Sequence, residues 1–215
     1  MLVQHLCYYL TDWNGITPRQ EDWTSNKVVK CLKGELIKGF AQIDVAGVLF
    51  RLEEGSKQEF LTHLWSALGR TFNSPNASTA IIPIPNSAGV VGAPANYKTL
   101  LYAQQIAAAS SGKLVALDAL RWRAATGAVH KQGGVRSPEK RFDNLTVIQA
   151  PDRPAILFDD FITSGSSLIA AVWRLSEVGC TPTGGLAVAR RTPVQQPKMF
   201  GFQEQELEIP TKPLV

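Results

Sequence analysis

The chain has 215 residues, with 22 lysines and arginines against 18 aspartates and glutamates, a formal net charge of +4. Apolar residues make up 45% of it, enough for one sizeable core, and no apolar run approaches the roughly 20 residues that cross a membrane. The charge suits an anionic ligand and is too small to require nucleic acid.

The opening MLVQHLCYYLTDW has neither the basic start nor the small-residue cleavage site of a secretory signal, so a cytoplasmic protein is expected. Cys7, Cys31 and Cys180, together with His5, His63 and His130, fall into no metal-ligand spacing. They read as free thiols without a zinc site.

TPRQEDW opens like a helix, with Thr17 as its cap, Pro18 at the first helical position and Gln20 closing a T-x-x-Q box. GVLFRL (47–52) reads as a short strand, and KQEFLTHLWSALGRTF (57–72) as a helix with Phe60, Leu61, Leu64, Leu68 and Phe72 on one face. TAIIPIPNS is the first strong strand, followed by a glycine-bearing loop over 88–96 and the helix YKTLLYAQQIAAAS. LVALDAL (114–120) is a second strand, and it leads into Arg121, Arg123, Lys131, Arg136, Lys140 and Arg141. AILFDD is a third strand; SLIAAVWRLSEVG continues as a helix ending at Gly179, and GGLAVARR is a fourth. The remaining tail is irregular, with one strand in it.

Continuous apolar strands alternating with helices predict an α/β fold, a mostly parallel central sheet flanked by helices, in a single domain over residues 1–215. In such sheets ligands gather at the carboxyl ends of the strands. Those ends carry residues 85–89, 118–123 and 159–167.

The last of these is ILFDDFITSGSSL (156–168). A strand entering a Gly/Ser/Thr loop and then a helix aims several backbone N–H groups, and the positive end of the helix dipole, at one point. Such a cup binds a phosphate, and Thr163, Ser164, Ser166 and Ser167 add hydroxyl donors around Gly165. No lysine follows the glycine as in a triphosphate loop, and the pattern G-x-G-x-x-G is absent. Just before the cup stand Asp159 and Asp160. Carboxylates accept hydrogen bonds from a diol and organise Mg2+ directly or through its water, so the two features together suit a ligand with a phosphate at one end and sugar hydroxyls nearby. The plain alternative is an acid pair that only forms a turn and caps a helix.

ILFDDFITSGSSL resembles the phosphoribosyl pyrophosphate (PRPP) signature of the type I phosphoribosyltransferases. The resemblance implies that Asp159 and Asp160 contact the ribose and that Thr163, Ser164, Gly165, Ser166 and Ser167 hold the 5'-phosphate. It extends from about residue 80 to 192 and leans toward the ComF-like branch associated with competence proteins. IIPIPNS is similar to that branch's Pro-x-Pro strand, ANYKTLLYAQQIA to its helix, and LRWRAATGAVHKQGGVRSPEKRFDN to its arginine-rich segment, ending here in Arg141 and Asn144.

The family's layout implies a hood with the first strand and helix over 1–75, a PRPP-binding core over 76–192 and a tail over 193–215. It also implies Mg2+, PRPP and a nucleobase-like acceptor as partners, and a homodimer. Asn86, Ser87 and Ala88 take the place of the pyrophosphate loop, joined by Arg136 and Arg141, while Arg123 and Lys131 are the cations expected to act with the acid pair in catalysis. Gly127, Gly133 and Gly134 suit a mobile lid, and His130 is a further candidate for proton transfer; the plain reading of these residues is a solvated basic loop.

Three departures bear on function. The cysteine-rich zinc module common in ComF-like chains is absent, residues 86–89 lack the expected basic residue, and Thr163 stands where 6-oxopurine salvage enzymes place an acid. Hypoxanthine and guanine are therefore disfavoured as acceptors. The rival reading is a PRPP-sensing or nucleic-acid-associated protein that binds without turnover. A serine hydrolase built on Ser164 or Ser166 is disfavoured by the lack of a G-x-S-x-G elbow.

Overall fold

The computed structural model describes residues 1–71, 78–125 and 137–213. In chain order its elements are β1 (Leu2–Leu10), α1 (Gln20–Lys33), β2 (Ala41–Val45), β3 (Val48–Leu52), α2 (Lys57–Thr71), β4 (Thr79–Pro83), α3 (Lys98–Ala108) and β5 (Leu114–Ala116). β6 (Leu120–Trp122), α4 (Pro138–Asn144), β7 (Leu145–Val147), β8 (Ala155–Ile162), α5 (Ser166–Ser176), β9 (Gly184–Thr192) and β10 (Phe200–Glu206) complete it.

A six-stranded sheet runs in the order β10-β1-β9-β8-β4-β5. Every pairing in it is parallel except that of β1 with β10. Successive residues of β8 bury on opposite faces: Ile156 and Phe158 enter the core shared with α1, α2, α3 and the β2–β3 hairpin, while Ala155 and Leu157 enter the core shared with α5 and α4. A strand covered on both sides has no polar face, which is why AILF reads as an unbroken apolar run. α2 can lie against α3 because Gly69 offers no Cβ; one built there would collide with the Ile106 carbonyl and Ala109.

The α/β expectation, the main strands and the single strand expected in the tail agree with this structure, and three local differences have physical reasons. β1 lies second from the sheet edge, yet Gln4 and His5 interrupt its apolar pattern and conceal it in the sequence. α1 begins after Arg19 rather than at a Thr17 cap, because the Asp22 carboxylate accepts the Arg19 N–H at 2.6 Å and fixes the first turn there. LVALDAL is two strands: Asp118 accepts from Tyr97 Oη and Arg121 Nε, both at 2.9 Å, and turns the chain so that Leu120–Trp122 pairs with β7 instead. Within the tail, Phe200–Glu206 forms the antiparallel edge strand.

The three cysteines are free and buried, and burial pushes the Cys7 thiol up to about 12 and that of Cys31 to about 11. Among the described residues no helix is long and apolar enough to cross a membrane.

Candidate active site

β8 stays in register with β9 as far as Ile162, which pairs with Arg190, and then releases the chain into the turn before α5. Gly165 is the residue flanking the helix start, with φ of 77°. That left-handed conformation favours glycine, and a Cβ there would also come within 2.8 Å of Leu207 Cδ1. The turn is cross-braced, with the Ser164 and Ser166 hydroxyls 2.8 Å apart. The N-terminus of α5 thereby opens toward a cleft of about 330 Å³ lined by Thr163, Gly165, Ser166 and Ser167.

Asp159 and Asp160 line the same cleft. Burial, then the charge of Asp160 and a hydrogen bond between the two side chains, push the Asp159 carboxyl well above the usual carboxylate range, against opposing hydrogen bonds from the backbone at Phe161 and Asp160. Asp160 is paired with Lys98, whose Nζ lies 3.2 Å from Oδ2. The same ammonium donates to the Leu32 carbonyl at 2.5 Å and lies 5.4 Å from the centre of the Tyr102 ring. The pair thus joins one acid with a raised pKa to a second that has its own counter-ion.

The facing wall comes from β4 and the segment after it, where Ile84, Pro85, Asn86 and Ser87 line the cleft. Three hydrogen bonds hold that segment: Ile84 N–H to Phe158 O at 2.7 Å, Thr99 Oγ1 to Ile84 O at 2.7 Å, and Trp122 Nε1 to Pro85 O at 2.7 Å. Arg141 reaches the cleft from α4, its guanidinium 5.3 Å from the Trp122 ring centre. Beyond Asp160 the wall turns aromatic. Phe161 lines the cleft and meets Tyr9 edge-on at 5.5 Å, and Lys33 Nζ lies 4.5 Å from the Tyr9 ring centre and 5.1 Å from that of Phe161.

Of the residues singled out in the sequence, the structure brings Asp159, Asp160, Thr163, Gly165, Ser166, Ser167, Asn86, Ser87 and Arg141 to one cleft. Ser164 and Ala88 are in the flanking turns but not in its lining, and Arg123 is exposed at the end of β6. Arg121 is buried beneath Tyr97 and paired with Asp118, a structural placement. Trp13 and Trp23 stack on each other at 5.2 Å, and neither lines the cleft. Lys131, Arg136, His130, Gly127, Gly133 and Gly134 lie outside the described residues.

Lys98, Thr99 and Trp122 were not anticipated. A signal for Lys98 existed, since a lysine in the first helical turn opposes the helix dipole and calls for a nearby acid. Among the described residues no three His, Cys, Asp or Glu side chains gather as a metal centre. The two carboxylates suit a Mg2+ ion only if a bound substrate supplies most of its oxygen ligands.

No known family profile and no curated protein matches the chain. Among solved structures, an adenine phosphoribosyltransferase aligns with 15% identity and a TM-score of 0.37 over 70% of this chain and 84% of its own. Orotate phosphoribosyltransferase from Aeropyrum pernix aligns with 16% identity and a TM-score of 0.37, covering 79% and 82%. Adenine phosphoribosyltransferase from Saccharomyces cerevisiae, complexed with an imino-altritol bisphosphate and adenine, aligns with 15% identity and a TM-score of 0.35, covering 77% and 89%. These neighbours are phosphoribosyltransferases, at values too low for the likeness to carry function.

Proposed function

We propose that the protein binds PRPP and transfers its 5-phosphoribosyl group to a ring nitrogen of a nucleobase-like acceptor, releasing pyrophosphate. One observation carries this reading: a phosphate cup at the start of α5 and a carboxylate pair at the end of β8 open into the same cleft. A phosphorylated ribose presents the two complementary groups.

In this reading the loop 163–167 holds the 5'-phosphate through backbone N–H groups and hydroxyls. Asp159 and Asp160 accept the ribose hydroxyls, with Lys98 holding Asp160 in place. The bond between C1 and the pyrophosphate oxygen breaks with its electron pair leaving on that oxygen. The acceptor nitrogen forms the new bond to C1 and gives up its proton to solvent. Arg141 and the Asn86–Ser87 wall line the cleft, and in this reading they face the leaving group, where preorganised charge stabilises the transition state. Mg2+, when bound, would neutralise charge on the pyrophosphate. Phe161 offers the acceptor ring a flat apolar surface. Arg123, Lys131 and Arg136 remain the further cations proposed to close over the leaving group, and a homodimer in the cytoplasm the proposed setting.

A second reading, PRPP sensing without turnover, draws on the neutral Asn86–Ser87 wall. Arg141 is the basic residue that lines the cleft among the described residues. Incubation with PRPP, Mg2+ and a panel of nucleobases, with pyrophosphate followed, separates the two. Pyrophosphate release with one ring acceptor supports transfer; saturable PRPP binding without release under the whole panel supports sensing, and absence of PRPP binding refutes both.

A further inference from the structure

Away from the cleft, the β10-β1-β9 side of the sheet holds a group of polar side chains that the proposed reaction does not use. His5 in β1 is fully buried, at 0% exposure, and neither ring nitrogen has a hydrogen-bond partner in the protein. Its cross-strand partner on β10 is Gln203, whose Nε2 is likewise buried without a partner. On the other flank β9 places Arg190 beside Tyr8, and Arg190 Nη1 is a fourth buried atom without a partner. Tyr8 meets the His5 ring edge-on at 4.5 Å, and its hydroxyl already donates to Gln205 Oε1 at 3.3 Å.

Buried polar groups are nearly always paired, and a guanidinium with a buried, unpartnered nitrogen is unfavourable unless an acceptor reaches it. Here no carboxylate pairs with Arg190 among the described residues. Burial holds its guanidinium below the ordinary value, and burial and then the Arg190 charge push His5 down to about 4, against an opposing interaction with the Val3 backbone. His5 is therefore a neutral imidazole with one N–H donor and one acceptor nitrogen, beside a guanidinium that only donates and an amide whose Nε2 is a further donor. Tyr8, Arg190 and Gln203 are each partly exposed, whereas His5 is fully buried. None of the three lines the cleft.

We propose that His5, Arg190 and Gln203 form a second binding site, separate from the cleft, for a single oxyanion group such as a phosphate or a carboxylate. The three residues lie on neighbouring strands and bring unpartnered N–H donors and one positive charge, with no carboxylate paired to that charge among the described residues. An oxyanion supplies both the acceptors and the missing charge. Arg190 is the register partner of Ile162, which immediately precedes the phosphate turn, so an occupant would sit one strand away from the end of β8.

The test uses the His5 ring resonances in the intact protein, titrated separately with inorganic phosphate and with acetate at constant ionic strength. The expected result is a saturable shift with at least one of the two, which tells the phosphate source from the carboxylate source, and a His5 titration midpoint that rises when the site is filled. Arg190→Met should weaken that response at least tenfold, whereas Ser166→Ala with Ser167→Ala in the cleft should leave it intact. Without added anion, Arg190→Met should melt no lower than the wild type, and on addition of the binding anion only the wild type should gain in melting temperature through this site. If neither anion moves the His5 resonances, the group holds only water and the proposal is wrong; an unchanged response in Arg190→Met overturns it equally. Should that variant not fold, Gln203→Leu takes its place, with the same weakening expected and an unchanged response counting against the site.

Discussion

Lys98 and Asp160 form an ion pair of 3.2 Å that ties the start of α3 to the end of β8, and the same ammonium reaches back to the carbonyl of Leu32 in the last turn of α1. One side chain thus links three elements at the carboxylate pair. It also resolves a local conflict, because a cation in the first turn of α3 is disfavoured by the helix dipole unless an acid stands beside it.

Lys98→Met should therefore act on binding more than on stability. The pair is partly exposed, with side-chain exposures of 38% and 21%, so its loss should change stability by less than about 1 kcal/mol. PRPP affinity, measured by calorimetry, should fall about tenfold, roughly 1.4 kcal/mol, with partial recovery in Lys98→Arg. An affinity equal to wild type would remove Lys98 from the site.

Asp159 gives a pH dependence of definite sign. Its folded-state pKa is raised, so the protonated form is the one the fold favours, and the associated stability is full below the unfolded value of about 3.9 and lost as pH rises through the folded one. Asp159→Asn keeps the shape without the charge. Denaturant unfolding should show this variant more stable than wild type near pH 7 to 8, with the difference shrinking as pH falls toward 4. A variant less stable at pH 7.5 would contradict the assignment.

His5 gives the opposite slope. Its pKa is lowered to about 4 by burial and by the charge of Arg190, so the neutral ring favours the fold above the unfolded value of about 6.5. That stability is lost as pH falls from there toward 4, by an amount on the order of 3 kcal/mol. In buffers without phosphate or carboxylate, His5→Leu should flatten this part of the stability profile; an unaltered slope would place the titration elsewhere.

Gly165→Ala should weaken both fold and phosphate binding. The left-handed backbone at φ 77° and the 2.8 Å approach of Leu207 to an added Cβ together predict a loss of about 1–3 kcal/mol. The melting temperature and the PRPP affinity should fall together. An alanine variant with unchanged melting would mean that the turn relaxes without cost.

Much of this architecture is legible in the sequence, because a strand buried on both faces must be apolar throughout and a tight turn into a helix, of the kind proposed to hold phosphate, is small and hydroxylated. AILF and TSGSS satisfy those two demands almost without alternative. β1 was illegible for the converse reason: Gln4 and His5 put polar atoms into a strand of the central sheet, and a local pattern cannot reveal that His5 is buried. The division of LVALDAL depends on Asp118 meeting Tyr97 and Arg121, contacts that form only when the start of α3, the segment after β5 and β6 come together. Lys98 and Trp122 belong to the same class. Their partners, Asp160 and the Pro85 carbonyl, lie on other elements, so their part in the cleft is a property of the packed fold.

The most direct test of the central claim is calorimetric titration of PRPP, with Mg2+, into the wild-type protein and into Asp159→Asn with Asp160→Asn. The account predicts saturable binding to the wild type and loss of binding in the doubly substituted protein, whose unfolding transition should remain cooperative. Equal PRPP affinity in the two proteins, or no binding to the wild type, would contradict it.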